Sequence, residues 1–133
     1  MTTFKLQIVT PKGIYKQVNV EILNLRTTAG QIGILAHHIP LASGIEISQM
    51  NYVDENGDRH YYAIAGGFVY VSDEEVTIIA NAIESPDEID LNRAKESEKR
   101  AKERLSKKDE VDIIRAEIAL KKALNRINVK TNY

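Results

Sequence analysis

The hydrophobic periodicity of this chain changes once, at Ser85-Pro86-Asp87, and that switch limits the fold to a β part followed by a helical part. Before it, apolar residues recur at every second position. Phe4, Leu6 and Ile8 alternate with Lys5 and Gln7, the pattern of a half-buried strand, and Pro11-Lys12-Gly13 stops it with turn chemistry. Tyr15 to Thr28 repeats the pattern through Val18, Val20 and Ile22. Breaks are expected at Gly30, Gly33, Pro40 and Gly44. Ile45 to Val53 and His60 to Ala65 flank an Asn56-Gly57 pair, which tolerates the positive φ angles of a tight hairpin. Phe68 to Val71 and Val76 to Ala80 read as a second hairpin, with Gly66-Gly67 marking a bulge or close strand packing. Short strands with closely spaced turns predict an antiparallel β-sandwich or barrel of about eight to ten strands.

Beyond Pro86 the alternation disappears. Helix formers dominate, and Ser106-Lys107-Lys108-Asp109 divides them into helices near 90–105 and 110–128. Asp87, Glu88 and Asp90 precede the first, and Asp109, Glu110 and Asp112 the second, where carboxylates complement the helix dipole and cap free amides. In the second helix Val111, Ile114 and Ile118 form an apolar line that Ile113, Leu120, Leu124 and Ile127 widen. The first helix offers only Leu91, Ala94, Ala101 and Leu105, interrupted by Glu98. A seam rich in alanine buries little apolar area, so the expected helical hairpin is marginal by itself and exchanges between folded and extended arrangements about a joint at Glu84–Glu88. The resulting class is α+β: a β-sandwich over 1–86, then a two-helix element over 87–133.

Charge divides at the same boundary. Residues 1–86 carry a net −4 and residues 87–133 a net +3, which suits a helical part that meets anions or an acidic surface. The near-neutral total argues against nucleic acid as a partner. There is no cysteine, hence no disulfide framework and no thiolate metal site. No apolar run approaches the roughly 20 residues that span a bilayer, so membrane association is expected through protein partners alone.

Arg93 and Arg100 are seven residues apart on one helical face, and Arg115, Lys122 and Arg126 have similar spacing on the second helix. Antiparallel packing would bring Arg93 beside Lys122 and Arg126, with Arg100 further in. Guanidinium forks match phosphate oxygens, and Glu84 and Asp90 lie where a carboxylate or a carbonyl would accept from an adenine amino group. The competing reading, favoured by composition alone, is a solvated face of pairs such as Arg100 with Glu96 and Lys121 with Glu117. His37 and His38 are adjacent and point apart on an extended chain, a poor metal site. No Gly-x-x-x-x-Gly-Lys-Ser/Thr loop or Ser/His/Asp arrangement suggests an enzyme.

The hexapeptide Ile89-Asp90-Leu91-Asn92-Arg93-Ala94, together with Thr28 to Leu41 upstream, resembles the epsilon subunit of the bacterial F-type ATP synthase over the whole chain. That resemblance implies a non-catalytic rotor subunit at the cytoplasmic face of the cell membrane. The sandwich would sit against the gamma subunit and the membrane c-ring, coupling proton flow to ATP synthesis. The helices, when extended, would engage the alpha/beta catalytic subunits and inhibit ATP hydrolysis. It further implies ATP as a regulatory ligand, Mg²⁺ being carried by the nucleotide, on Glu84, Ile89, Asp90, Arg93, Ala94, Arg100, Lys122 and Arg126, with Gln31 and His38 at the rotor contact. Lys122 stands where a close relative has arginine, keeping the charge without the fork. Gln31 stands where glutamate is common. The alternative is a structural coupling module with no nucleotide sensing.

Overall fold

A computed structural model describes residues 2–107 and 112–133. Seven strands come first: β1 (Phe4–Thr10), β2 (Gly13–Thr27), β3 (Gly30–Leu35), β4 (Leu41–Asp54), β5 (Arg59–Val71), β6 (Glu75–Ala80) and β7 (Ile83–Glu84). A 3-10 turn at Pro86–Glu88 leads into α1 (Leu91–Ser106) and α2 (Ile113–Asn132).

The strands run β1-β6-β5-β4-β2 through one sheet, and β1 also pairs with β2. The sheet therefore closes on itself as a flattened barrel, with β3 added beside β2 and β7 beside β5. Every pairing is antiparallel except β1 with β6. Closure leaves one interior, filled from alternate positions of each strand: Leu6, Ile8, Val20, Leu23, Ile64 and Ile78 have no exposed surface.

Among the described residues seven strands stand where eight to ten were expected, because glycine bends long strands here without ending them. β4 runs through Gly44 and β5 through Gly66-Gly67 with the ladder between them maintained, Gly44 opposite Phe68 and Ile45 opposite Gly67. Gly66 and Gly67 have φ of 84° and 147°. A Cβ at Gly67 would lie 2.0 Å from the Ile79 carbonyl oxygen, so close packing of β5 on β6 requires glycine there. The glycines at 30 and 33 likewise do not break the chain but belong to β3, hydrogen-bonded to β2 from Ile22–Leu35 to Thr27–Gly30. Asn56-Gly57 forms the hairpin turn between β4 and β5: the Gly57 N–H donates to the Asp54 carbonyl at 3.0 Å, and Asp54 Oδ1 accepts from the amides of Asn56 and Asp58.

α1 packs through Ala94 and Ala101, as expected, whereas α2 packs through residues other than those the sequence suggests. Ala94 and Ala101 of α1 and Ala116 and Ala123 of α2 are buried, so an alanine seam joins the helices. Ile114 is 69% exposed, and Ile113, Ile118 and Leu124 are exposed as well. The expected line through Ile114 and Ile118 therefore does not face α1; small side chains let the backbones approach, and the larger ones are turned outward. Val111, Asp109 and Glu110 lie outside the described residues. Asp112 caps α2, its carboxylate accepting from the amides of Ile114 and Arg115. α2 continues past the expected end at 128 to Asn132.

Replacing Gly67 with alanine is expected to lower stability by at least about 2 kcal/mol, since the added methyl meets backbone in a conformation that L side chains rarely adopt. The urea midpoint of the Gly67→Ala variant, read by far-ultraviolet circular dichroism, checks this; a midpoint equal to wild type would contradict it.

Candidate functional site

The helical hairpin meets the β part along α2. Val129 of α2 is fully buried against Ile89 and Ala63, which form a small apolar cluster apart from the sheet interior. Beside it, β7 pairs with β5 and places Glu84 opposite Ala63. Arg126 comes down from α2 onto that carboxylate: its Nη2 donates to Oε2 at 3.1 Å, and its Nε lies 2.7 Å from Oε1. The two-point approach is that of an Arg–carboxylate fork, although the Nε hydrogen is poorly aligned with its oxygen.

Next to this pair opens a cavity of about 190 Å³. Ile47 and Ile64 form part of its apolar floor, and Glu84, Lys122, Asn125 and Arg126 its polar rim. Asn125 Nδ2 donates to the Ser48 carbonyl at 2.7 Å, so that side chain both lines the cavity and fixes α2 to β4. Asn125 escaped the sequence reading. Its signal is an amide at the position one helical turn before Val129, inside the stripe that faces the sheet.

Not every residue of the expected set converges here. Glu84, Lys122 and Arg126 meet at the cavity. Ile89 is buried under Val129, and Ala94 is buried in the helix seam. Asp90 is the N-cap of α1, its Oδ1 accepting from the Arg93 amide at 3.1 Å, which leaves its second oxygen for another donor. Arg93 and Arg100 are exposed on α1 and do not line the cavity. Seven residues of helix separate them by about 10 Å along the axis. The competing reading of a solvated face of i,i+4 pairs is met with other partners than those named. Among the described residues neither Arg100–Glu96 nor Lys121–Glu117 forms an ion pair; the helical pair present is Lys102–Glu98 at 3.4 Å.

The joint at Glu84–Glu88 is held by several bonds. Tyr15 of β2 donates its hydroxyl to Glu88 Oε1, the Ser85 amide donates to the same oxygen at 2.9 Å, and Lys130 Nζ donates to the Pro86 carbonyl at 2.9 Å. Burial and the Glu88 carboxylate push the Tyr15 hydroxyl well above its ordinary value. Burial alone would raise Glu88, but the bonds from Tyr15 and Ser85 outweigh it and hold the carboxyl below its ordinary value. Tyr15 touches Tyr62 edge-on, and the Tyr62 hydroxyl meets that of Tyr52 at 2.9 Å within the sheet. The joint is thus tied to the core of the β part.

Gln31 and His38 do not share an environment. Gln31, opposite Arg26 at the start of β3, borders a polar cavity with Lys121 and Asn128 of α2. His38 follows β3, its amide donating to the Leu35 carbonyl at 3.2 Å and its Nδ1 lying 2.7 Å from the Ile39 carbonyl. His60 pairs with Asp54 at 2.8 Å beside the β4–β5 turn, a structural role.

Two family models match consecutive stretches: the ATP synthase Delta/Epsilon chain beta-sandwich domain over residues 3–86, and the ATP synthase Delta/Epsilon chain long alpha-helix domain over residues 87–131. The ATP synthase epsilon chain of Bacillus pumilus (strain SAFR-032) is 43% identical over 106 residues, covering 80% of each chain. That of Clostridium novyi (strain NT) is 44% identical over 106 residues, covering 80% of this chain and 81% of the other. Among solved structures, a chain of the Euglena gracilis mitochondrial ATP synthase OSCP/F1/c-ring assembly superposes with a TM-score of 0.81 at 27% identity, over 91% of this chain and 77% of that one.

The depressed Glu88 value has a consequence for stability. A carboxyl whose folded pKa lies below its unfolded one stabilises the fold above the ordinary value of 4.5 and loses that contribution as pH falls through the folded pKa. Tyr15→Phe removes the bond that contributes most to the lowering. Its urea midpoint is expected to fall short of wild type at pH 7, with the gap narrowing as pH falls below 4.5; a gap that stays constant down to acid unfolding would contradict the assignment.

Proposed function

This chain belongs to the ATP synthase epsilon-chain family and is an epsilon subunit of the F-type central stalk, and we propose that its helical hairpin senses ATP and inhibits ATP hydrolysis when released. The observation that carries the reading is the grouping of Glu84, Lys122 and Arg126 around one cavity where the hairpin meets the sheet. A ligand seated there touches both parts at once and therefore favours the folded arrangement over any in which α2 has left.

The cavity is smaller than the ~300 Å³ at which ordinary ligand pockets begin, so it would hold only a portion of a nucleotide. Arg93 and Arg100, exposed on α1, would then take phosphate oxygens outside it, with Lys122 and Arg126 at the rim. The free oxygen of Asp90 would accept from the base amino group, Ile89 and Ala94 supplying the packed surface beneath. Mg²⁺ would arrive with the nucleotide, its charge shared by the phosphates and the nearby carboxylates. A phosphate on Arg126 competes with Glu84 for the same guanidinium edge, so binding would loosen that pair as it forms.

By linkage, a ligand restricted to the folded hairpin stabilises it by RT ln(1 + [L]/Kd), about 2.7 kcal/mol at 100 times Kd. Abundant ATP would keep the helices folded and permit turnover; scarce ATP would release them. The outward Ile114 and Ile118, unpartnered in the folded state among the described residues, give the released α2 an apolar face with which to engage alpha/beta subunits.

The β part would anchor the subunit to gamma and to the c-ring at the cytoplasmic face of the membrane, with no catalytic role. Phe68 and Tyr70 on β5 and Ile79 on β6 support this, forming an exposed apolar patch of the kind that a lasting partner covers. Gln31 and His38 are further candidates for rotor contact. Among the described residues no helix is long and apolar enough to cross a bilayer, so the membrane would be reached through the ring.

The Glu84–Arg126 pair favours a second reading: a carboxylate that already satisfies the principal cation leaves a structural coupling module that binds no nucleotide. Isothermal titration with ATP, with and without Mg²⁺, separates the two. Nucleotide sensing predicts binding that weakens about tenfold or more in Arg126→Ala and in Asp90→Ala/Arg93→Ala. No heat up to millimolar ATP would establish the structural module instead.

A further inference from the structure

The folded hairpin is seated through one end of one helix. α1 packs on α2. Among the described residues, every side-chain bond from the helices to the strands or the 3-10 turn starts on the second half of α2: from Asn125 to Ser48 and, more weakly, Ile64, from Arg126 to Glu84, and from Lys130 to Pro86. The first half of α2 instead presents Ile113, Ile114 and Ile118 to solvent. The seat thus runs from about residue 122 to the last residue described.

Its outer end is aromatic. Tyr133 stacks on Tyr61 of β5 with ring centroids 4.0 Å apart and planes inclined by 19°. The Tyr133 amide donates to the Val129 carbonyl at 3.1 Å, so the ring is presented by continued helical backbone in fixed relation to buried Val129. Tyr61 stands in the β4–β5 ladder opposite Asn51, so its backbone is held as well. With both backbones held, chiefly the two side-chain rotamers remain to be fixed when the rings stack.

We propose that the Tyr61–Tyr133 stack is an aromatic clasp that sets how readily α2 leaves the sheet, independently of any ligand at the Glu84–Arg126 cavity. The proposal rests on the reading that the hairpin leaves the sheet reversibly. Seven residues separate Arg126 from Tyr133, about 10 Å along the helix axis. At that distance with no shared partner, the clasp and the cavity act additively on the same equilibrium. The clasp therefore fixes the starting population on which a ligand operates.

Amide hydrogen exchange of the full chain without nucleotide, read by mass spectrometry, tests the idea. In Tyr133→Ala and in Tyr61→Ala, peptides from α2 are expected to exchange about threefold to tenfold faster, with the strand peptides unchanged. The double variant should be no faster than either single one, since each removes the same contact, and Tyr133→Phe should match wild type. Unchanged α2 exchange in Tyr133→Ala, or fully additive effects in the double variant, would overturn the clasp. Wild-type α2 exchanging in step with the strands would instead overturn reversible release, whatever Tyr133 does.

Discussion

The double pairing of β1 is the constraint on which the rest of the molecule depends. Bonded to β2 on one side and β6 on the other, β1 closes the sheet and turns alternate faces of five strands into a single interior. It also explains the parallel pairing: five strands in a closed ring cannot alternate in direction throughout, so one pair, β1 with β6, must run parallel. With the ring closed, Leu6 and Ile8 pack at its centre without exposed surface. The β part consequently has a rigid wall against which weaker elements can be attached and removed.

In the proposed scheme the hairpin is such an element. Its helices meet over alanines, whose methyl groups bury little area, and its seat on the wall consists of one buried valine, a few polar bonds and an aromatic stack. The joint contrasts with it. Glu88 is held by Tyr15, and Glu84 lies in the β5 ladder, so the segment leading to α1 is fixed to the β part more firmly than the helices that follow. In the proposed release these bonds would put the pivot after Glu88, around Ile89 and Asp90, whereas the turn chemistry of Ser85-Pro86 suggests a joint at Glu84–Glu88. Ile89 is buried by Val129 alone of the helical residues in its cluster, so departure of α2 would uncover it.

Much of this architecture was legible because a change of period is a property of many residues together. The alternation through β1 and β2, the Asn56-Gly57 turn and the helix formers after Asp90 each carry their own local signal. Strand number was not, because Gly44, Gly66 and Gly67 have the same composition whether they end a strand or bend it; only the partner strand decides, as the Ile79 carbonyl beside Gly67 shows. The helix seam misled for a related reason. Large aliphatic residues define an apolar line by hydropathy, yet helix approach favours the smallest side chains, and Ala116 and Ala123 took the interface that Ile114 and Ile118 were expected to fill. At the site, helical spacing brought out Lys122 and Arg126, and the resemblance Glu84, while Asn125, Lys130 and Tyr133 act through partners more than 40 residues away and carry no local signature.

In the proposed scheme, the usefulness of a weak seat follows from magnitudes. An aromatic stack contributes about 0.5–1.5 kcal/mol and a neutral hydrogen bond about 1 kcal/mol, so gain or loss of one such anchor shifts the α2 equilibrium by less than the roughly 2.7 kcal/mol that a ligand supplies at 100 times its Kd. A larger apolar interface between α2 and the sheet would exceed that range and hold the hairpin folded at any ligand concentration. The outward Ile113, Ile114 and Ile118 are consistent with this limit: turned inward they would deepen the seat, whereas turned outward they lower the cost of leaving and remain available to a partner. A small seat, a fixed joint and an apolar face kept in reserve together place the hairpin where a ligand of modest affinity can decide its position.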